Sequence, residues 1–206
     1  MPYRRSSPSR SHHTQNTPHV PASRWDTDDA ITSVPTQLGT IVIAAALMCV
    51  CNIIVAPLYA SLSGNRLAVL PWVAVISLLT VGFCATVGFA VVWLGDLLGA
   101  RVRSRYVPLV FACLGFVAFG IWGGFVVASI FDSIVVPAGA SPLQGMALWS
   151  VAINSAVIGA LGFGAGRFIA ERKRLVWPFT WTLIIVELLV AGAGIFFLAQ
   201  VYAFLY

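Results

Sequence analysis

Five apolar runs dominate the chain, at about residues 38–62, 67–98, 106–131, 143–166 and 177–206. Each exceeds the roughly 20 residues with which a helix crosses a hydrocarbon core ~30 Å thick. None alternates polar and apolar side chains as a membrane barrel strand does. In lipid every backbone N–H and C=O must find its partner within the segment, which leaves the helix as the conformation open to each run. The expected fold is therefore all-α and integral to a membrane: a bundle of five transmembrane helices over residues 37–206. The second and fifth runs are long enough to require tilt or to protrude.

Composition excludes the soluble classes. The chain is 59% hydrophobic and 9% charged, with a mean hydropathy of +0.92, whereas soluble domains carry about 25% charged residues. A net charge of +5 in a soluble protein would suggest nucleic acid. Here the basic residues sit in short clusters between apolar runs, so they mark orientation; a lipid bilayer is the expected partner and nucleic acid is not. The four cysteines, Cys49, Cys51, Cys84 and Cys113, lie inside apolar runs with no CxxC or Cys/His spacing, and they read as small apolar fillers.

The distribution of basic residues sets the expected topology. Arg4, Arg5, Arg10 and Arg24 precede the first run; Arg101, Arg103 and Arg105 follow the second; Arg167, Arg172, Lys173 and Arg174 follow the fourth. The intervening loops hold only Arg66. Positive charge stays on the cytoplasmic side, so the N-terminus is expected in the cytoplasm and Tyr206 outside. Trp72, Trp93, Trp177, Tyr202 and Tyr206 fall where the interfaces should lie. The preference for Arg over Lys, with abundant Ala, Gly and Val, associates with GC-rich bacterial genomes, so a bacterial plasma (inner) membrane is the expected location.

Residues 1–36 form a polar tail rich in Ser, Thr, Pro and His, with too few large apolar residues to fold alone, and disorder is expected there. His12, His13 and His19 read as solvated residues rather than metal ligands. The first apolar run is too long for a cleavable signal segment and is expected to stay as an anchor.

Small residues mark the expected helix contacts, since lipid gives helices no hydrophobic reason to associate. The third run carries Gly120, Gly124 and Ala128 at four-residue spacing. The fourth carries Ala152, Ala156, Ala160 and Gly164, with Ser155 and Gly159 on an adjacent row, which favours a central position for that helix.

One charged residue stands deep in an apolar run. Glu187 interrupts Leu183-Ile-Ile-Val-Glu-Leu-Leu-Val190, about 10–15 Å from the start of its helix at ~1.5 Å per residue. Its insertion costs about 2.5–3.5 kcal/mol, taking Asp as proxy, and the surrounding Leu, Ile, Val and Phe residues return about 3–7 kcal/mol. Every Lys, Arg and His lies in the tail, in a loop or at a helix end. An ionised Glu187 would thus be unanswered within the chain, a costly state, and the neutral acid donating one hydrogen bond is expected. The short loop between the fourth and fifth runs makes them expected antiparallel neighbours, with Asn154 as the expected partner and Thr80 and Asn52 as weaker ones. Ala191 and Gly194 continue the Glu187 face. Asp96 is expected to pair with Arg101 or Arg103, and Asp132 with Arg66.

No nucleophile–base pair, metal set or phosphate-binding loop is apparent at any shared depth, so neither catalysis nor a cofactor is expected, and no catalytic or metal residue is assigned. Three readings of Glu187 remain. It is a neutral acid fixing helix register, it meets a cation on another membrane protein's helix, or it is a proton or cation site on a transport path. They translate into a non-catalytic accessory or assembly subunit of a membrane complex or, alternatively, a small oligomeric proton- or cation-coupled transporter. Only Pro57 interrupts a helix interior in the sequence.

Overall fold

The computed structural model of the chain describes residues 34–64, 69–172 and 175–205. The three tail histidines, Arg66, Lys173, Arg174 and Tyr206 lie outside the described residues. Among the described residues, five helices long and apolar enough to cross a membrane follow one another: α1 Thr36–Leu62, α2 Val69–Gly99, α3 Ser104–Val135, α4 Met146–Arg172 and α5 Trp177–Leu205. The chain is a polytopic all-helical membrane protein. Two helices overrun their apolar segments. α4 continues to Arg172 because Arg167 and Glu171, one turn apart, pair at 2.7 Å and make its last turns amphipathic. α3 continues to Val135, and the Asp132 carboxylate at its end accepts the N–H of Leu143 at 2.8 Å. That bond holds Leu143 in the connecting loop, so α4 starts only at Met146.

Pro57 leaves α1 unbroken, and the interruptions fall elsewhere. α2 widens into a π turn at Cys84–Gly88 and α3 into another at Gly123–Val127. Glycines at Gly88, Gly123 and Gly124 leave room for the wider turn, and Thr86 donates its hydroxyl to the Gly82 carbonyl at 2.7 Å, occupying one backbone acceptor there. The residues just before the two turns, Phe83 and Trp122, touch across α2 and α3 with ring centroids 5.5 Å apart.

α4 lies between α1 and α3, and small residues set both contacts. Gly115 and Gly159 meet backbone to backbone: a Cβ on either would run into the carbonyl of the other. Along the same crossing Gly120 faces Ala156, with an added Cβ only 2.9 Å away, Gly124 faces Ala152, Gly123 faces Ser155, and Gly164 faces Ala112. On the α1 side Gly162 meets Met48, and Gly166 meets Thr40 and Ala44. Ala128 is buried in a second cluster with Tyr59, Trp72 and Phe131. Trp72 is only 2% exposed and packs edge-on against Phe131 inside the bundle.

α5 departs from its expected place. It packs chiefly on α2 and, less extensively, on α1, and approaches α4 at its start, where Trp177 packs against the cluster that holds Ala170. Gly194 supplies the reason: it fits directly against the Ala74 backbone and Leu78 of α2, while the glycine faces of α4 are already taken by α1 and α3. The N–H of Val34 also donates to the Leu175 carbonyl at 3.1 Å, drawing the α4–α5 connection toward the start of α1. At the opposite end the hydroxyls of Ser133 and Tyr202 meet at 2.6 Å and tie α3 to α5. Only 11% of the apolar window of α5 is buried, against 28–50% for the other four helices, so α5 is a one-sided, peripheral helix.

Candidate functional site

Glu187 of α5 is one of the residues lining a largely apolar groove of about 490 Å³ between α1, α2 and α5. Its polar companions are Cys49 of α1 and Ser77 of α2; the remaining lining is Ala, Val, Ile, Leu and Phe. The side chain is half-buried, and its Oε1 is enclosed with no hydrogen-bond partner. Ser77 is buried, and its Oγ is likewise enclosed. The Cys49 thiol lies beside the Ser77 hydroxyl and within electrostatic reach of Glu187. The arrangement can accept hydrogen bonds and positive charge. No Lys, Arg or His is among the residues that line it.

The expected bond from Asn154 to Glu187 is not made. Asn154 is on α4, which does not pack along α5, and its Nδ2 donates instead to the Tyr59 hydroxyl of α1 at 3.2 Å. Ser155 packs beside the same pair, against Gly123 of α3. Asn52 and Thr80 satisfy one another: the Asn52 amide donates to Thr80 Oγ1 at 2.9 Å, and that hydroxyl donates onward to the Ile76 carbonyl at 2.8 Å. The four polar residues singled out by sequence thus separate into the α1–α2 pair of Asn52 and Thr80, Asn154 bound to Tyr59, and the acid Glu187. Ala191 and Gly194 do form the close-packing face beside Glu187, but against α2.

Sequence reasoning passed over Ser77 and treated Cys49 as filler. A signal existed in the spacing: Ser77 lies three residues from Thr80, and Cys49 three from Asn52, so each is a near-neighbour on its helix of a residue already noted. Which of the two faces met α5 depended on the α5 position, which no local pattern encodes.

A second polar constellation closes the arginine-rich end. Arg167 of α4 pairs with Asp96 of α2 at 3.0 Å and with Glu171 at 2.7 Å, and its guanidinium lies 4.8 Å from the centroid of the Phe111 ring of α3. Gln37 of α1 donates to the other Asp96 oxygen at 2.8 Å. Four helices are joined there. Asp96 does not pair with Arg101 or Arg103, which stand exposed beyond the end of α2; Arg167 wins because Glu171 and Phe111 hold it across the bundle. Arg105 and Arg172 lie over their neighbours Tyr106 and Phe168. At the other end Asp132 serves the backbone of Leu143, and its expected partner Arg66 is outside the described residues.

No protein-family model, curated protein or solved structure matches this chain, so its reading rests on the geometry above.

Proposed function

We propose that this protein is a non-catalytic accessory or assembly subunit of a membrane complex, engaging another membrane protein through the α1–α2–α5 groove. The observation that carries the reading is Glu187. Its carboxyl oxygen is enclosed without a partner on a helix that is covered on one side only. A carboxyl oxygen left without a partner in lipid is costly, and a partner seated along α5 would cover the helix and change the surroundings of the acid together. In this reading the arginine-rich end faces the cytoplasm of a bacterial cell, with the basic clusters holding that orientation. Extraction in mild detergent followed by native mass spectrometry tests it. A heteromer of fixed stoichiometry is the expected result, and a lone monodisperse species would count against the reading.

The alternative, a proton- or cation-coupled transporter with Glu187 as its titrating group, draws on one observation. The two π turns meet at Phe83 and Trp122, and such turns in a helix often mark places that rearrange. Proton-dependent flux in vesicles that disappears in Glu187→Gln would favour transport over the subunit reading.

A further inference from the structure

The arginine-rich end carries more positive charge than its own carboxylates answer. Arg167 takes Glu171 and one oxygen of Asp96, and Gln37 takes the other. Arg101, Arg103, Arg105 and Arg172 are exposed, and among the described residues no ion pair reaches any of them. The register of α3 and α4 brings two of the four to one edge. The helices run antiparallel, with Gly124 against Ala152, Gly120 against Ala156 and Gly115 against Gly159, and the packing stays close toward the arginine-rich end. There a Cβ on Gly164 would lie 3.4 Å from the Pro108 carbonyl. About one turn further stand Arg105 on α3 and Phe168 on α4, and Arg172 follows Phe168 by another turn. The Arg105 guanidinium lies 4.5 Å from the Tyr106 ring centroid, and that of Arg172 lies 4.2 Å from the Phe168 centroid. Arg105 also donates to the Tyr106 hydroxyl at 2.5 Å. A guanidinium stacked on a ring keeps in-plane N–H donors at its edge, a fork that matches phosphate oxygens. On the membrane side of these arginines the surface is apolar and exposed, at Trp93 and Leu97 of α2, Leu109 of α3 and Phe168 itself. Unanswered positive charge bordering exposed apolar helix is the complement of an anionic amphiphile. A soluble polyanion would use only the charge, and a zwitterionic headgroup brings a cation that the arginines repel.

We propose that Arg105 and Arg172, at the α3–α4 edge of the arginine-rich end, bind the phosphodiester of an anionic phospholipid. The site stands apart from the α1–α2–α5 groove and does not depend on the subunit reading. The full-length protein is reconstituted with equal amounts of phosphatidylglycerol and phosphatidylcholine, and the lipids retained after mild detergent release are counted by native mass spectrometry. Phosphatidylglycerol should be retained about tenfold over phosphatidylcholine, the order set by one or two basic residues at an anionic lipid surface. Most of that preference should disappear in the Arg105→Gln, Arg172→Gln double variant. It should also weaken severalfold in Arg105→Lys, Arg172→Lys, which keeps both charges and loses the planar fork and its stacking. The Arg101→Gln, Arg103→Gln variant removes the same charge and should keep most of the preference. Monodisperse elution checks the fold of each variant. No preference in the parent protein overturns the proposal. Equal loss in the two Gln variants, or an undiminished preference in the Lys variant, overturns it in favour of diffuse attraction. Displacement of phosphatidylglycerol by millimolar inorganic phosphate overturns the lipid as occupant in favour of the free anion.

Discussion

Replacing Gly159 with alanine should destabilise the bundle by about 2 kcal/mol. At this crossing α3 and α4 are in backbone contact, and a methyl on Gly159 would meet both the Gly115 carbonyl and Cβ of Phe119. A helix backbone cannot swing aside as the tip of a side chain can. The penalty therefore belongs at the upper end of the about 1–3 kcal/mol typical of overpacking. Alanine returns about 1 kcal/mol of helix propensity relative to glycine, which leaves about 2 kcal/mol, or roughly a 30-fold change in the unfolding equilibrium. Gly192 provides the control, since nothing lies within 4 Å of a methyl built there. Gly192→Ala should leave stability unchanged or raise it by up to about 1 kcal/mol. Reversible unfolding in bicelles, followed by steric trapping, measures both variants against the parent. Equal stability of Gly159→Ala and Gly192→Ala would refute the backbone contact, and with it the position of α4 between α1 and α3.

Thr80→Val leaves the buried Asn52 amide without its acceptor and should cost about 1–2 kcal/mol in the same unfolding assay, whereas Thr86→Val, whose bond is local to α2, should cost less. Asp96→Asn removes the ion pair with Arg167, a partly exposed contact, and should lower stability by no more than about 1 kcal/mol; Arg101→Gln and Arg103→Gln should change nothing measurable in thermal unfolding. Among the cysteines, exposed Cys113 should react with a lipid-soluble maleimide while buried Cys84 stays unlabelled until the protein is unfolded, a difference read directly by mass spectrometry of digests.

The secondary structure was legible because lipid forces it: long apolar runs between Leu38 and Tyr206 permit helices and little else. Contacts built from glycine and alanine were also legible, since Gly120, Gly124, Ala152, Ala156 and Gly164 all meet their neighbours across α3 and α4. The neighbour of α5 was not. A short loop favours adjacency, but Gly194 against Ala74 and Val34 against Leu175 are contacts between distant parts of the chain, and their strength shows only once both helices are placed. The same limit explains Asp96. Arg101 and Arg103 are near it in sequence, yet Arg167 arrives from α4 already oriented by Glu171 and Phe111. For the candidate site, Glu187 was evident as a lone acid. Its companions Ser77 and Cys49 were hidden because small polar side chains inside apolar runs are commonplace, and only the groove distinguishes these two.

The placement of Glu187 beside α1, away from α4, is tested most directly by cross-linking in the membrane. One variant keeps native Cys49 as its sole other thiol and carries Glu187→Cys; a second lacks all native cysteines and carries Asn154→Cys with Glu187→Cys. A short bifunctional thiol reagent should bridge the first pair within one chain and leave the second unbridged, because Cys49 and Glu187 line one groove while Asn154 is held at Tyr59. Bridging of the Asn154→Cys, Glu187→Cys variant with none at Cys49 would contradict the arrangement, and with it the groove on which the proposed partner site depends.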